Sequence, residues 1–241
     1  MGKRRINGVF FDLGWTLERP ADDDWVLTRC FFEHVKRDDY YAMDEALRTR
    51  AIRRAMEPLE THHHILTMEE ENVRFTEFYS DLSRYLSLDL SEEAIRTIAT
   101  DHTYNFENYV VFDSTAKTLE TLKNCGYKIG VISDTWPSTV PQQKEAGLWD
   151  YYDCTTLSCF LGVLKPNPRM YEDALEKMGL PAEETVYIDD LTMSLNAAKA
   201  YGINGVCSIA KPGAKTVPDY PCIQQPDGLI EVLKEMNGGS L

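Results

Sequence analysis

The spacing of apolar positions changes twice along the chain. An apolar run at about residues 5–11 ends abruptly in Asp12, as a buried strand does. From about 18 to 108 the period becomes helical. Leu27, Phe31 and Val35 recur at helical spacing, and Leu47, Ala51 and Ala55 do the same, with Pro58 closing that run. Phe75, Phe78, Tyr79, Leu82 and Leu86 form the clearest stripe. Ile95, Ile98 and Ala99 form a shorter one behind Ser91, a predicted N-cap. This stretch reads as a four-helix insertion.

Beyond it, strand and helix signals alternate. Strands are predicted at about 127–132, around Tyr152–Thr155, at Thr185–Ile188, at Ile203–Cys207 and near Tyr220–Ile223. Ser114 is placed to cap a helix carrying Leu119 and Leu122 that stops near Gly126. A short helix is predicted over 138–147. Pro168 suits the first turn of a helix carrying Tyr171, Ala174, Leu175 and Met178. Leu195 and Ala198 mark another helix, closed by Gly202, and Leu229, Val232 and Leu233 a terminal one before a frayed tail, NGGSL. Strands separated by helices predict an α/β fold: a Rossmann-like parallel sheet covered by helices, over 1–17 and 109–241. Residues 18–108 would form a second, all-helical cap domain beside the carboxyl ends of the strands, placed to act as a lid.

The chain has 241 residues, room for one such domain and a smaller companion. Its net charge of −14 comes with no basic stripe, which predicts no nucleic-acid partner. A small phosphate ester stays compatible, because local donors and a cation overcome the global field. The N-terminus carries no long apolar run before Asp12, so neither a signal peptide nor a membrane anchor is expected. Six cysteines without close CxxC pairing predict free thiols in a reducing cytoplasm.

Four polar points fall at strand ends or in a loop before a helix: Asp12, Ser133, Lys165 and the pair Asp189-Asp190. Each has an ordinary alternative, as a helix cap, a turn hydroxyl or a solvated charge. The adjacent acids are the hardest to explain that way, because they repel unless a cation or donor offsets them. Together the residues make chemical sense. Three carboxylates and water can hold Mg²⁺. Asp12 can attack phosphorus to give an aspartyl-phosphate, while Ser133 and Lys165 hold the transferring oxygens.

In these residues the chain resembles the haloacid dehalogenase-like superfamily, most of whose members are phosphatases. FFDLGWTL resembles the first motif, with Asp12 at the nucleophile and Thr16 at the trailing Thr. Ser133 in VISD, Lys165 in LKPNPRMY and Asp189-Asp190 in VYIDD match the other three in order. The resemblance implies a Mg²⁺-dependent phosphatase acting on a small phosphorylated metabolite. Metal contacts would come from Asp12, the Gly14 backbone carbonyl, Asp189 and Asp190. It also implies that the insertion is a substrate-selecting cap, with Trp15 and Arg19 as candidate substrate contacts. Gly14 departs from the pattern, since this position usually carries an Asp that serves as general acid/base. Slow turnover, a proton supplied elsewhere, or binding without turnover would follow. Dehalogenases also lack that Asp, but their fourth region resembles Ser-x-Asn-x-x-Asp, unlike the paired acids here. His62-His63-His64 is expected at a surface or helix end, because consecutive residues do not converge on one ion.

Overall fold

A computed structural model describes residues 5–22, 24–239 and 241. Residues 1–4 and Ser240, touched by the readings of the two termini, lie outside the described residues. The chain separates into two compact units. One comprises 1–19, 111–135 and 140–241, and the other 20–110 with 136–139.

The first strand, β1 (Gly8–Phe11), is buried along its whole length. A short β2 (Glu18–Pro20) follows and leads into the helical unit. There α1 (Arg29–His34) begins at Thr28, whose hydroxyl accepts from the Phe31 N–H. Val35 and Lys36 are extended and interrupt the helix before α2 (Arg37–Ala42), with Asp38 and Asp39 favourably placed in its first turn. The stripe Leu27, Phe31, Val35 thus ends with α1, and among the described residues five helices form where four were expected. The others are α3 (Glu45–Thr61), α4 (Met68–Leu86) and α5 (Glu92–Tyr104). Pro58 does not end its run but sits inside the last turn of α3, which continues to Thr61. Leu47, read as part of the stripe, is exposed, while Ala51, Ala55 and Leu59 are buried. Thr67 and Glu70 form a capping box at the start of α4, and Ser91 caps α5 as expected. The unit's core joins Phe31, Tyr40, Phe75, Phe78, Tyr79, Leu82 and Ile98.

The chain returns through β3 (Tyr109–Val111), paired with β2 in a two-stranded ribbon. Next come α6 (Thr115–Asn124), β4 (Lys128–Ser133), α7 (Thr139–Glu145) and β5 (Cys154–Leu157). Ser114 occupies the N-cap position of α6, but its buried hydroxyl has no hydrogen-bond partner, so the expected cap is not made. A helix absent from the sequence reading, α8 (Ser158–Leu161), precedes α9 (Pro168–Met178), which has Pro168 in its first turn and Asn167 as cap. The remainder is β6 (Thr185–Asp189), α10 (Thr192–Ala200), β7 (Asn204–Ser208), β8 (Cys222–Ile223) and α11 (Leu229–Met236).

The main sheet is parallel with order β5-β4-β1-β6-β7-β8. Alternation along the strands serves two cores. Val9, Phe11, Val131 and Ile188 face α6 and α11 through Leu119, Leu122, Leu229 and Leu233. Phe10, Ile132 and Tyr187 face α9 and α10 through Met170, Tyr171, Leu195 and Ala198. Gly130 lets Phe10 pack over β4, because a Cβ there would come within 2.6 Å of that ring. The carboxyl ends of β1, β4 and β6, adjacent in the sheet, carry Asp12, Ser133 and Asp189. No helix among the described residues is long and apolar enough to cross a membrane.

Candidate active site

Asp12 continues β1 by one residue, its N–H donating to the Ile188 carbonyl of β6 at 2.8 Å. The loop that follows is tightly wound. The N–H groups of Thr16, Leu17 and Glu18 all point to the Leu13 carbonyl, at 3.1, 2.8 and 3.1 Å. Closing it requires one left-handed residue, and that residue is Trp15, with φ of 53°. Its N–H donates to the Glu18 carbonyl at 2.7 Å, and its own carbonyl accepts from Ser208 Oγ at 2.5 Å. Gly14 is half-buried and forms a bridge with Glu18.

Lys165 is the hub of the cluster. Its ammonium has three protons and three acceptors: Asp189 Oδ2 at 2.7 Å, the Tyr187 hydroxyl at 3.0 Å and Asp12 Oδ1 at 3.1 Å. The Tyr187 hydroxyl has one proton to share between Asp189 Oδ2 (2.5 Å) and the Ile132 carbonyl (2.9 Å). Asp189 Oδ1 accepts from the Leu191 N–H at 2.6 Å. The Lys165 N–H donates to Asp134 Oδ1 at 2.9 Å, which anchors the loop bearing the lysine to the end of β4. Lys165, Asp12 and Asp189 are all buried.

Burial sets the protonation of this cluster. It pushes the Asp12 carboxyl up to about 6, with Asp189 adding to the rise and Lys165 and the Ser133 hydroxyl opposing it. Asp190 is pushed up to about 7, by burial first and then by Asp12 and Asp189. Burial alone would lower the Lys165 ammonium, but Asp12, Asp189 and Asp134 outweigh it and hold it charged. Oxygens of Asp12, Asp189 and Asp190 lie within 4.8 Å of one another. The Lys165 ammonium therefore sits among these three carboxylates and Asp134, an imbalance that a cation would relieve. The all-oxygen donor set fits a hard ion such as Mg²⁺. Both oxygens of Asp189 already accept from protein donors, which leaves Asp12 and Asp190 with the greater capacity to coordinate.

The structure thus brings together Asp12, Ser133, Lys165, Asp189 and Asp190, with Gly14 in the same loop. Trp15 is 5% exposed, which leaves little of its ring to meet a substrate. Arg19 is half-buried on β2. His62 and His64 are exposed as expected, but His63 is buried, edge-on to Trp136 with ring centroids 4.8 Å apart. Tyr187, Asp134 and Glu18 escaped the sequence reading. A tyrosine in the buried strand TVYID was the available signal, because its hydroxyl needs a partner there. Glu18 had none. It is buried, and its Oε2 accepts from Gln142 Nε2 at 2.6 Å and Gln143 Nε2 at 2.8 Å. Gln143 Oε1 accepts in turn from the Tyr152 hydroxyl at 2.7 Å.

The arrangement agrees with relatedness to known proteins. The family model for "haloacid dehalogenase-like hydrolase" matches residues 39–207, a span holding Ser133, Lys165, Asp189 and Asp190. This chain belongs to the haloacid dehalogenase-like hydrolases. A glyceraldehyde 3-phosphate phosphatase of Methanocaldococcus jannaschii is 28% identical over 203 residues, 82% of each chain. One of Pyrococcus furiosus is 27% identical and covers 98% of this chain and 96% of its own. The fold is also that of L-2-haloacid dehalogenase from Xanthobacter autotrophicus, with a TM-score of 0.67 at 16% identity over 96% and 99% of the chains. This hydrolase therefore shares its architecture with enzymes that cleave different bonds, and its own chemistry must be argued from the site.

Proposed function

We propose that this hydrolase cleaves a phosphomonoester of a small metabolite by way of an aspartyl-phosphate on Asp12, with Mg²⁺ as cofactor. The observation that carries the reading is the triad of Asp12, Asp189 and Asp190 around one buried ammonium. Displacing a halide needs no such concentration of carboxylates. A phosphate ester brings further negative charge and makes a cation necessary. The names of the two archaeal relatives support a three-carbon phosphorylated substrate class.

Asp12 is the nucleophile in this reading, held by Lys165 on one oxygen. Ser133 offers a hydroxyl to the transferring oxygens. Lys165 has all three protons engaged, so its part is to neutralise Asp12 and Asp189 and to share a proton with an incoming phosphoryl oxygen. Asp12, Asp190 and the Gly14 carbonyl would hold Mg²⁺, with Asp189 contributing through water. When bound, the ion would shield the phosphoryl charge from the nucleophile. Without a carboxylate at Gly14, leaving-group protonation falls to water or the substrate, at a cost of about 10²–10⁴-fold in rate.

The test is a screen of the purified protein with Mg²⁺ against sugar phosphates, triose phosphates, an aryl phosphate and 2-haloacids. Aryl phosphate should turn over faster than alkyl phosphates, because its better leaving group needs less protonation. Asp12→Asn should abolish both activities. Turnover of 2-haloacids alone, without Mg²⁺, would replace this reading with dehalogenation.

A further inference from the structure

We propose that Cys207 and Cys222 form a disulfide-competent pair, a redox modification site on neighbouring strands of the sheet. The two residues are register partners in the parallel pairing of β7 and β8. Register partners in a parallel sheet point to the same face, and adjacent strands lie about 4.8 Å apart. That spacing falls inside the Cα separation of roughly 4.4–6.8 Å that a disulfide spans. Both side chains join the same apolar cluster, beneath Tyr220 and α10. Burial pushes the Cys207 thiol up to about 11, and Cys222 beside it adds to the rise.

The two thiols differ in access. Cys207 is buried, whereas Cys222 is half-buried on an edge strand of two residues. Cys222 Sγ sits in the turn before β8, accepting from the Val217 N–H at 3.4 Å. So short an edge strand has few backbone bonds to hold it and can adjust as the bridge closes. Among the described residues these two cysteines are the ones paired in the sheet register, and Cys30, Cys125, Cys154 and Cys159 lie on other elements.

Hydrogen peroxide is the oxidant in the step. The Cys222 sulfur attacks one peroxide oxygen, the O–O bond breaks, and water leaves with the thiol proton, giving a sulfenic acid. The Cys207 sulfur then attacks the Cys222 sulfur and the S–O bond breaks. A second water leaves with the Cys207 proton. Two thiols and one peroxide become one disulfide and two waters. The bridge would form one residue from Ser208, whose hydroxyl holds the Trp15 carbonyl in the loop after Asp12.

The experiment treats the folded full-length Cys125→Ser protein with hydrogen peroxide, quenches with an alkylating agent, and maps tryptic peptides without reduction. Cleavage after Lys215 separates the two cysteines into peptides 200–215 and 216–234. The expected product is these peptides joined, lighter by two hydrogen atoms, and released by dithiothreitol. Cys222→Ser and Cys222→Ala should each abolish it and leave Cys207 alkylatable only after unfolding. Joined peptides involving other cysteines, or oxidation of Cys222 to sulfinic acid with Cys207 still a free thiol, would overturn the proposal. Circular dichroism of each variant separates loss of the pair from loss of the fold. None of these readouts depends on the phosphatase reading.

Discussion

At the scale of single residues, the proposed phosphatase chemistry makes Gly14 the position to test. The left-handed position in the loop belongs to Trp15, so Gly14 is not demanded by that turn. The turn's backbone therefore does not stand against Gly14→Asp, which should supply the missing acid. The gain in kcat/KM is expected mainly on alkyl phosphates, at about 10²-fold or more, with little change on an aryl phosphate. Paired kinetics on the two substrates check this. An alkyl rate unchanged in a variant that still binds Mg²⁺ would show that leaving-group protonation is not limiting. The strand-end acids were legible in the sequence because an apolar run broken by Asp is a local pattern. The role of Lys165 was only half legible. Its position before a helix could be read, but its three bonds go to the ends of two neighbouring strands, Asp12 after β1 and Tyr187 and Asp189 on β6, which lie far apart in the chain. Glu18 was invisible, because the glutamines that satisfy it lie far along the chain and have no pattern of their own.

At the scale of elements, α4 contains a feature at odds with its apolar stripe. Glu71 is fully buried, and its two oxygens accept from the N–H (2.8 Å) and the hydroxyl (2.6 Å) of Ser138. The same four-residue segment sends Trp136 against Phe75, with ring centroids 5.1 Å apart, and against His63. Burial pushes the Glu71 carboxyl up to about 7, against the opposing pull of Ser138. A folded value raised above the unfolded one means that the folded state holds the proton more tightly. The contribution is fully present below about pH 4.5 and is lost as pH rises through about 7. Glu71→Gln removes that dependence. Relative to the parent, it should gain stability between about pH 5 and pH 8, by up to about 3 kcal/mol. Urea unfolding at the two pH values measures this, and an equal difference between the proteins at both would refute it. The sequence did not show Glu71 as buried, because it falls in an acidic first turn, Glu69-Glu70-Glu71, that reads as a dipole-favoured solvated start. The stripe from Phe75 to Leu86 was read correctly for the opposite reason: five apolar residues on one face leave no other use for the helix. The break between α1 and α2 went unread because Val35 fits the apolar spacing whether or not the helix continues through it.

At the scale of the whole molecule, the proposed Mg²⁺ site would tie stability to pH. The chain carries a net charge of −14, and its site concentrates three carboxylates around one lysine. Without a cation the cluster is held together partly by protons, since Asp12 rises to about 6 and Asp190 to about 7 through burial and mutual repulsion. A divalent ion must compete with those protons. Mg²⁺ should therefore stabilise the protein more at about pH 8 than at about pH 5.5, with the increase spanning the range from 6 to 7. At a hundred times Kd the stabilisation is about 2.7 kcal/mol, a rise in Tm of roughly 5–10 °C for a chain of this size. Asp190→Asn supplies the control. Removing one of three clustered carboxylates should raise Tm in the absence of metal at about pH 8, because the remaining pair repels less, and should abolish most of the Mg²⁺-dependent shift. Thermal melts of both proteins with and without millimolar Mg²⁺ read the two effects separately. A shift of the same size at both pH values would mean that the ion does not displace protons from Asp12 and Asp190. A shift that persists in full in Asp190→Asn would place the ion on other groups, and with it the cation that the proposed phosphoryl chemistry requires.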